Sequence, residues 1–177
     1  MKEGELHPTD EYLDIVDAQD RVIGRRLRSQ VYQEHASNFR VVNAFIVNSK
    51  GQLWIPTRGA HKKISPNALD FSVGGHVASE ESYDDALTRE AEEELRIHTA
   101  TMDVRLLGKL TPEHDGVSAF MQVYEIHTDV VPHFNSSDFT SGEWLFPEQL
   151  EQRIRRGQQT KSDLPIVLRH FYSPQPR

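Results

Sequence analysis

The chain has 177 residues, enough for one domain with a short extension, and it contains no cysteine. The absence of cysteine excludes disulfide bonds, thiolate zinc sites and thiol nucleophiles. No apolar run approaches the roughly 20 residues that span a bilayer, and the N-terminal residues lack the apolar stretch of a signal peptide. We therefore expect a cytoplasmic protein with no membrane partner.

The net charge of −7 is concentrated in one segment of the chain. Residues 80–94 contain eight acidic side chains and one basic side chain, Arg89, whereas the rest of the chain has 19 of each kind. Because the remainder is balanced, no general basic surface is expected, which argues against nucleic acid as a partner. The acidic segment instead indicates a local cation site.

Hydrophobic patterning predicts short strands on either side of one acidic helix. The first two strands, at 12–17 and 21–27, form a hairpin that a polar, helical stretch follows to about residue 38. The later strands are predicted at 40–48, 52–58, 69–75, 103–110, 117–126 and 141–146. Two helices close the chain, one beginning at Pro147 and one within 162–172. Mixed strands and helices indicate an α/β or α+β sandwich.

The acidic helix is predicted to begin at Tyr83, directly after a capping-box sequence. At about 100° per residue, Glu90 and Glu94 fall inside its apolar face, Glu93 borders that face, and Glu92 points to water. Ionised carboxylates on an inward face are costly without a counter-charge. Hard oxygen ligands suit Mg²⁺ or Mn²⁺, so a divalent cation is the expected counter-charge. A solvated acidic face is the alternative interpretation.

The segment around this helix resembles the Nudix box in both residue types and spacing. The matching positions are Gly75, Glu81, Arg89, Glu90, Glu93, Glu94 and Ile97. The box normally has a glycine after its last glutamates, where this chain has Arg96. That glycine serves the turn out of the helix, so we expect the substitution to affect the turn more than the metal ligands. Glu81 is expected to join the loop to the helix through Arg89.

Three longer segments, YLDIVDAQDRVIG, RVVNAFIVNSKGQLWIPTRGAHKK and PNALDFSVGGH, resemble the Nudix branch related to the type I isopentenyl-diphosphate isomerases. The resemblance implies a Nudix-like α/β/α sandwich with a mixed sheet over residues 39–177, preceded by an N-terminal β-hairpin extension at 1–38. The isomerases carry a catalytic cysteine where this chain has Gly74, which disfavours isomerase chemistry. His76 matches a histidine of that branch, whereas Arg40 replaces one of its metal-binding histidines.

The resemblance implies an enzyme that hydrolyses a phosphoanhydride bond in a nucleoside di- or triphosphate, or in a related diphosphate, with Mg²⁺ or Mn²⁺ as cofactor. It implies that Glu90, Glu93, Glu94 and the carbonyl of Gly75 bind the metal. Arg89, Glu90 and Glu93 are the catalytic candidates within the box. In an alternative assignment, Glu90 is the general base and Arg89 orients it.

Five residues outside the box complete the candidate site. An additional glutamate acts as base or ligand in some members of the family, and Glu143 and Glu113 are the candidates here. Arg58, Lys62 and Lys63 match the basic segment that contacts the diphosphate in the isomerase branch, where arginine binds bidentately and lysine as a point charge. A surface acid and a solvated basic loop are the alternatives.

Two other functions remain open from the sequence. A Nudix domain without catalysis could sense a nucleotide or metabolite in the same pocket, and isopentenyl-diphosphate isomerisation is the less favoured third reading. The strand aromatics are assigned to the core, so no base-recognition residue is predicted. The partner is expected to be a small nucleotide or diphosphate, and the strand edges are compatible with a homodimer.

Overall fold

The computed structural model describes residues 10–173 of the protein. Every predicted strand and helix is present, although the strand predicted at 117–126 begins only at Phe120. The elements in chain order are β1 (Tyr12–Val16), β2 (Val22–Leu27), α1 (Arg28–Gln33), β3 (Arg40–Val47), β4 (Leu53–Arg58), β5 (Val73–His76), α2 (Tyr83–Leu95), a 3₁₀ turn (Thr99–Thr101), β6 (Asp103–Leu110), α3 (Pro112–Asp115), β7 (Phe120–His127), β8 (Phe139–Leu145), α4 (Pro147–Arg155) and α5 (Leu164–Tyr172).

The strand predicted at 69–75 forms only at its C-terminal end, as β5. Leu69 makes isolated bridges rather than a ladder. The buried Ser72 donates its hydroxyl to the Trp54 carbonyl at 2.5 Å and accepts the Ile46 N–H at 2.8 Å. A side chain thus replaces ladder hydrogen bonds where the chain passes between β3 and β4, which is why the regular strand starts later than its apolar sequence predicts.

Within residues 10–173, β3 through β8 form a six-stranded mixed sheet in the order β6-β7-β3-β4-β8, with β5 beside β3. β3 and β7 are parallel, and the other neighbours are antiparallel. On its other edge, β3 pairs first with β5 over Val41–Ala44 and then with β4 at Ile46 and Val47. The sheet is therefore forked along β3, and the fork leaves room for a cavity.

Helices cover both faces of this sheet. Val42, Ala44 and Ile46 of β3 pack in one cluster with α2, whereas the alternate residues Phe45 and Val47 pack in another with α4 and α5. This alternation follows from the two-residue period of a strand. The expected α/β/α sandwich of the α+β class is confirmed.

The N-terminal hairpin and α1 pack against the sandwich through a third apolar cluster. Asp14 of β1 accepts the Ser79 hydroxyl at 2.7 Å and the Glu80 N–H at 3.1 Å, so the hairpin holds the loop that leads into α2. The third apolar cluster consists of Leu13, Ile15, Val31, Phe39 and Ala119.

None of the helices within residues 10–173 has the length and apolar character of a membrane span.

Candidate active site

Helix α2 begins at Tyr83, as predicted, after Ser82 caps it with a hydrogen bond to the Asp85 N–H at 3.1 Å. It ends at Leu95, and the next residue, Arg96, adopts the left-handed conformation with φ 54°. The Arg96 N–H donates to the Glu92 carbonyl, the hydrogen bond of an αL C-cap, and the Ile97 N–H donates to the Ala91 carbonyl. The turn that the family's glycine normally makes is therefore kept, at a steric cost of about 1–2 kcal/mol for a side chain in this conformation.

Glu90 and Glu94 pass closely over the glycine pair of β5. Glu94 Oε2 accepts the N–H of Gly74 at 3.0 Å. A Cβ on Gly75 would overlap the carboxyl group of Glu90, and a Cβ on Gly74 would lie 2.6 Å from Asn43 Oδ1. These glycines are needed for close approach of side chains to the strand, and neither has a positive φ.

Burial raises the pKa of both carboxyl groups above the usual value of a glutamate. For Glu94 the rise is large, and the nearby Glu90 adds to it, while the hydrogen bond from Gly74 opposes it. For Glu90 the charge of Arg89 opposes the rise in pKa. Of these two partly buried carboxyl groups, Glu90 bonds Arg89 whereas Glu94 bonds no cation among residues 10–173, and the oxygen atoms of both are ligands that suit a hard divalent cation.

Arg89 holds the loop, the strand and the helix together. It donates two hydrogen bonds of 2.9 Å to Glu81, as expected from the sequence, one of 2.7 Å to Glu90, and one of 3.0 Å to the His76 carbonyl. The hydrogen bonds that Arg89 donates to Glu81 are the main cause of its raised pKa, so Arg89 stays charged. Arg89 therefore orients the carboxyl group of Glu90.

Glu93, the third predicted ligand on the helix, points to solvent with its side chain 60% exposed and 3.7 Å from Arg89. Among residues 10–173, no three acidic or histidine side chains are grouped closely enough to hold a metal ion. Glu93 is therefore not grouped with Glu90 and Glu94 in this structure.

Glu90 and Glu94 line a cavity of about 260 Å³ that also receives part of the predicted basic segment. Arg58 forms an ion pair with the buried Asp70, and its Nε donates to the Ile64 carbonyl at 3.1 Å. Lys62 binds Asp138 at 2.5 Å. Lys63 is exposed and does not line the cavity. The structure thus separates two adjacent lysines that the sequence does not distinguish.

The cavity contains two polar residues that the sequence analysis missed. Lys161, from the loop between α4 and α5, lines it together with Asn43 of β3. Asn43 is only 3% exposed, and its Oδ1 atom has no hydrogen-bond partner among the described residues. The one available signal was an asparagine within the apolar strand sequence VVNAFIV. Lys161 belongs to no motif that could have marked it.

His76 lies at the end of β5 in an aromatic part of the cavity. Its Nε2 is 2.9 Å from the Tyr32 hydroxyl, and its ring stacks on Phe39 with centroids 5.8 Å apart. Burial, helped by the charge of Arg28, lowers the pKa of His76 to about 3. The imidazole is therefore neutral near pH 7, and its 3.8 Å contact with Glu11 is not an ion pair.

The two additional glutamates lie outside the cavity. Glu143, on β8, receives hydrogen bonds of 2.5 and 2.8 Å from Arg153 on its two oxygens. Glu113 is exposed in the short helix α3, at a different surface groove. Neither residue lines the cavity of Glu90 and Glu94, and their suggested role as base or ligand stays a prediction.

The fold and this box of charged residues define a class of protein, the Nudix hydrolases. The sequence model described as the NUDIX domain matches residues 37–164, which is most of the chain. The chain therefore belongs to the Nudix hydrolase family, and it is a hydrolase.

Particular relatives cover nearly the whole chain. A Nudix hydrolase of Nostoc sp., named as uncharacterized, is 51% identical over 163 residues, which are 92% of this chain and 96% of that protein. A Nudix hydrolase of Deinococcus radiodurans is 46% identical over 164 residues, 93% of this chain and 95% of that protein. A crystal structure from the same organism matches with a TM-score of 0.87 and 45% identity, covering 92% and 99% of the two chains.

The resemblance to the isomerase branch is also found. An isopentenyl-diphosphate Delta-isomerase of Kocuria rhizophila is 26% identical over 151 residues, 80% of this chain and 81% of that protein. The family and the fold class that the sequence predicted are thus both confirmed.

Proposed function

We propose that this hydrolase cleaves a phosphoanhydride bond in a nucleoside di- or triphosphate, or in a related nucleoside diphosphate derivative, and that Mg²⁺ is its cofactor, with Mn²⁺ as a substitute. The proposal rests on one observation, that the partly buried Glu90 and Glu94 share a cavity with the cations Arg58 and Lys62. Nudix hydrolases generally use divalent metal ions and act on small molecules. A polyphosphate has the clustered negative charge that needs both a metal and cationic side chains.

Glu90, Glu93, Glu94 and the carbonyl of Gly75 would hold the Mg²⁺ ion. The raised pKa values of Glu90 and Glu94 support this assignment. Burial disfavours the ionised form of both carboxyl groups, and a bound cation supplies positive charge that stabilises it. When bound, the ion neutralises charge on the phosphate oxygens and makes a bound water more acidic.

The chain itself positions the substrate and the proton acceptor. Arg58 has one guanidinium nitrogen, Nη2, without a hydrogen bond among the described residues, and this nitrogen is free to bind a phosphate oxygen beside Lys62. In the alternative assignment, Glu90 is the general base instead of a metal ligand; burial then makes it a stronger base than an exposed glutamate, and Arg89 fixes its orientation. Water attacks phosphorus, the anhydride P–O bond breaks, the water proton goes to the base, and the leaving phosphate oxygen keeps the electron pair.

The geometry around Gly74 disfavours isomerisation. In the isomerase branch the catalytic thiol belongs to the position of Gly74, yet a Cβ there would lie 2.6 Å from Asn43 Oδ1. The side chains of Arg89, Glu90 and Glu94 are arranged as a hydrolase needs, which favours catalysis over sensing.

A release assay with Mg²⁺ tests the proposal over nucleoside di- and triphosphates, nucleotide sugars, dinucleoside polyphosphates and isopentenyl diphosphate, with Glu94→Gln beside the wild type. We expect turnover of one nucleotide group that Glu94→Gln loses. The matched control is Glu92→Gln, an exposed position on the same helix that contacts His98 at 2.8 Å, and it should keep activity. Measurable nucleotide binding with no turnover of any compound would overturn the proposal in favour of a sensor.

A further inference from the structure

The two ends of the cavity can be placed by the pairing of β3 with β5. Asn43 stands opposite Gly74, and Val41 stands opposite His76. Asn43 and Val41 both line the cavity, as expected for residues two apart on one strand face. Two residues along a strand span about 7 Å. The cavity therefore has two neighbouring levels, one at Asn43 and one at Val41.

The level at Asn43 presents polar groups that are not satisfied by the protein. A Cβ on Gly74 would lie 2.6 Å from Asn43 Oδ1 and 3.7 Å from Lys161 Nζ, so both groups meet over the same glycine. The ammonium of Lys161 makes a long ion pair of 3.9 Å with Asp70 and no hydrogen bond among the described residues. Asn43 Oδ1 is a buried acceptor without a partner, whereas the partly exposed ammonium of Lys161 is a donor that faces the cavity, so an anionic ligand oxygen is the natural partner of Lys161.

The level at Val41 has a different chemistry. Tyr32, 42% exposed on α1, and His76 form an aromatic wall there, and Ile64 lines the same cavity. The charged groups nearby, Arg28 and Glu11, bind each other at 3.2 Å. This end is suited to an uncharged, planar or apolar group rather than to phosphate.

We propose that the cavity binds its substrate in one orientation, with a phosphate group on Lys161 at the level of Asn43 and the organic group against Tyr32 and His76. This inference rests on the proposed phosphoanhydride substrate and adds its direction. It makes Lys161 a phosphate-binding residue. It also makes α1, in the N-terminal extension, part of the surface that selects the organic group.

The test compares two kinds of ligand by titration calorimetry in Mg²⁺. Methylenediphosphonate has only the phosphate part, whereas the α,β-methylene analogues of adenosine, guanosine, cytidine and uridine diphosphate add an organic group. Lys161→Met should weaken the binding of both kinds by about tenfold or more, because a hydrogen bond to a charged group is lost. Tyr32→Ala should leave methylenediphosphonate within about twofold and remove most of the extra affinity of the preferred nucleotide analogue.

The controls are Lys63→Met and Tyr12→Ala, because both side chains are exposed and lie outside the cavity. Neither should change binding. Unchanged affinities in Lys161→Met would overturn the phosphate end. An equal loss for both ligand kinds in Tyr32→Ala, or a wild type that binds every analogue no tighter than methylenediphosphonate, would overturn the organic end.

The two proposals fail in different ways. If the release assay shows no hydrolysis but the calorimetric pattern holds, the proposed function is wrong and the orientation stands. If hydrolysis is found but the calorimetric pattern is absent, the orientation alone is wrong.

Discussion

Gly75→Ala should damage the active site while leaving the fold intact. The new Cβ would overlap the carboxyl group of Glu90, and ordinary contact distances require that group to move by more than about 1 Å. The movement breaks the 2.7 Å hydrogen bond from Arg89. A misplacement of this size costs about 100-fold in kcat, and the overpacking lowers the free energy of unfolding by about 1–3 kcal/mol.

The matched control is Gly24→Ala, a strand glycine whose added Cβ meets no atom within 4 Å. Both variants are compared by urea denaturation and by initial rates on the substrate found in the release assay. Gly24→Ala should keep the rate and the stability of the wild type within error. A Gly75→Ala enzyme with wild-type kcat would show that Glu90 does not need its close position over β5, and the reasoning would be refuted.

Three further predictions follow from the site and its surroundings. Without metal, Glu94→Gln should be more stable than wild type at neutral pH, because the raised pKa means that an ionised Glu94 opposes folding. The difference, measured by urea denaturation, should shrink as the pH falls through the raised pKa of Glu94 and vanish below the usual pKa of a glutamate; a difference that grows instead contradicts the burial argument. Arg96→Gly should raise the free energy of unfolding by about 1 kcal/mol, since glycine adopts the left-handed conformation without the steric cost of a side chain. The same change should leave kcat unchanged. Glu143→Gln should keep kcat within about twofold and cost under about 1 kcal/mol of stability, because it removes only an exposed ion pair with Arg153; a large loss of kcat would return Glu143 to the site.

The position and the inward face of helix α2 could be predicted because the sequence signals that set them are local. The capping sequence placed its start at Tyr83, and the helical period placed Glu90 and Glu94 on the inward face. The contact between Glu81 and Arg89 also followed from the resemblance to the box. Glu143 shows the limit of this reasoning, because its place beside Arg153 depends on how β8 meets α4.

The sequence by itself determined the family, the class of fold, the acidic helix and the absence of any thiol chemistry. The family follows from the resemblance of residues 75–97 to the Nudix box, whereas the other three follow from composition and from periods of two and 3.6 residues, which are properties of neighbouring positions. Only the tertiary structure decided which cations face the carboxylates: Lys62 and not Lys63, and with it the distant Lys161. The loops that carry these lysines come together across the forked sheet at Asn43, and no local sequence pattern predicts such a long-range contact.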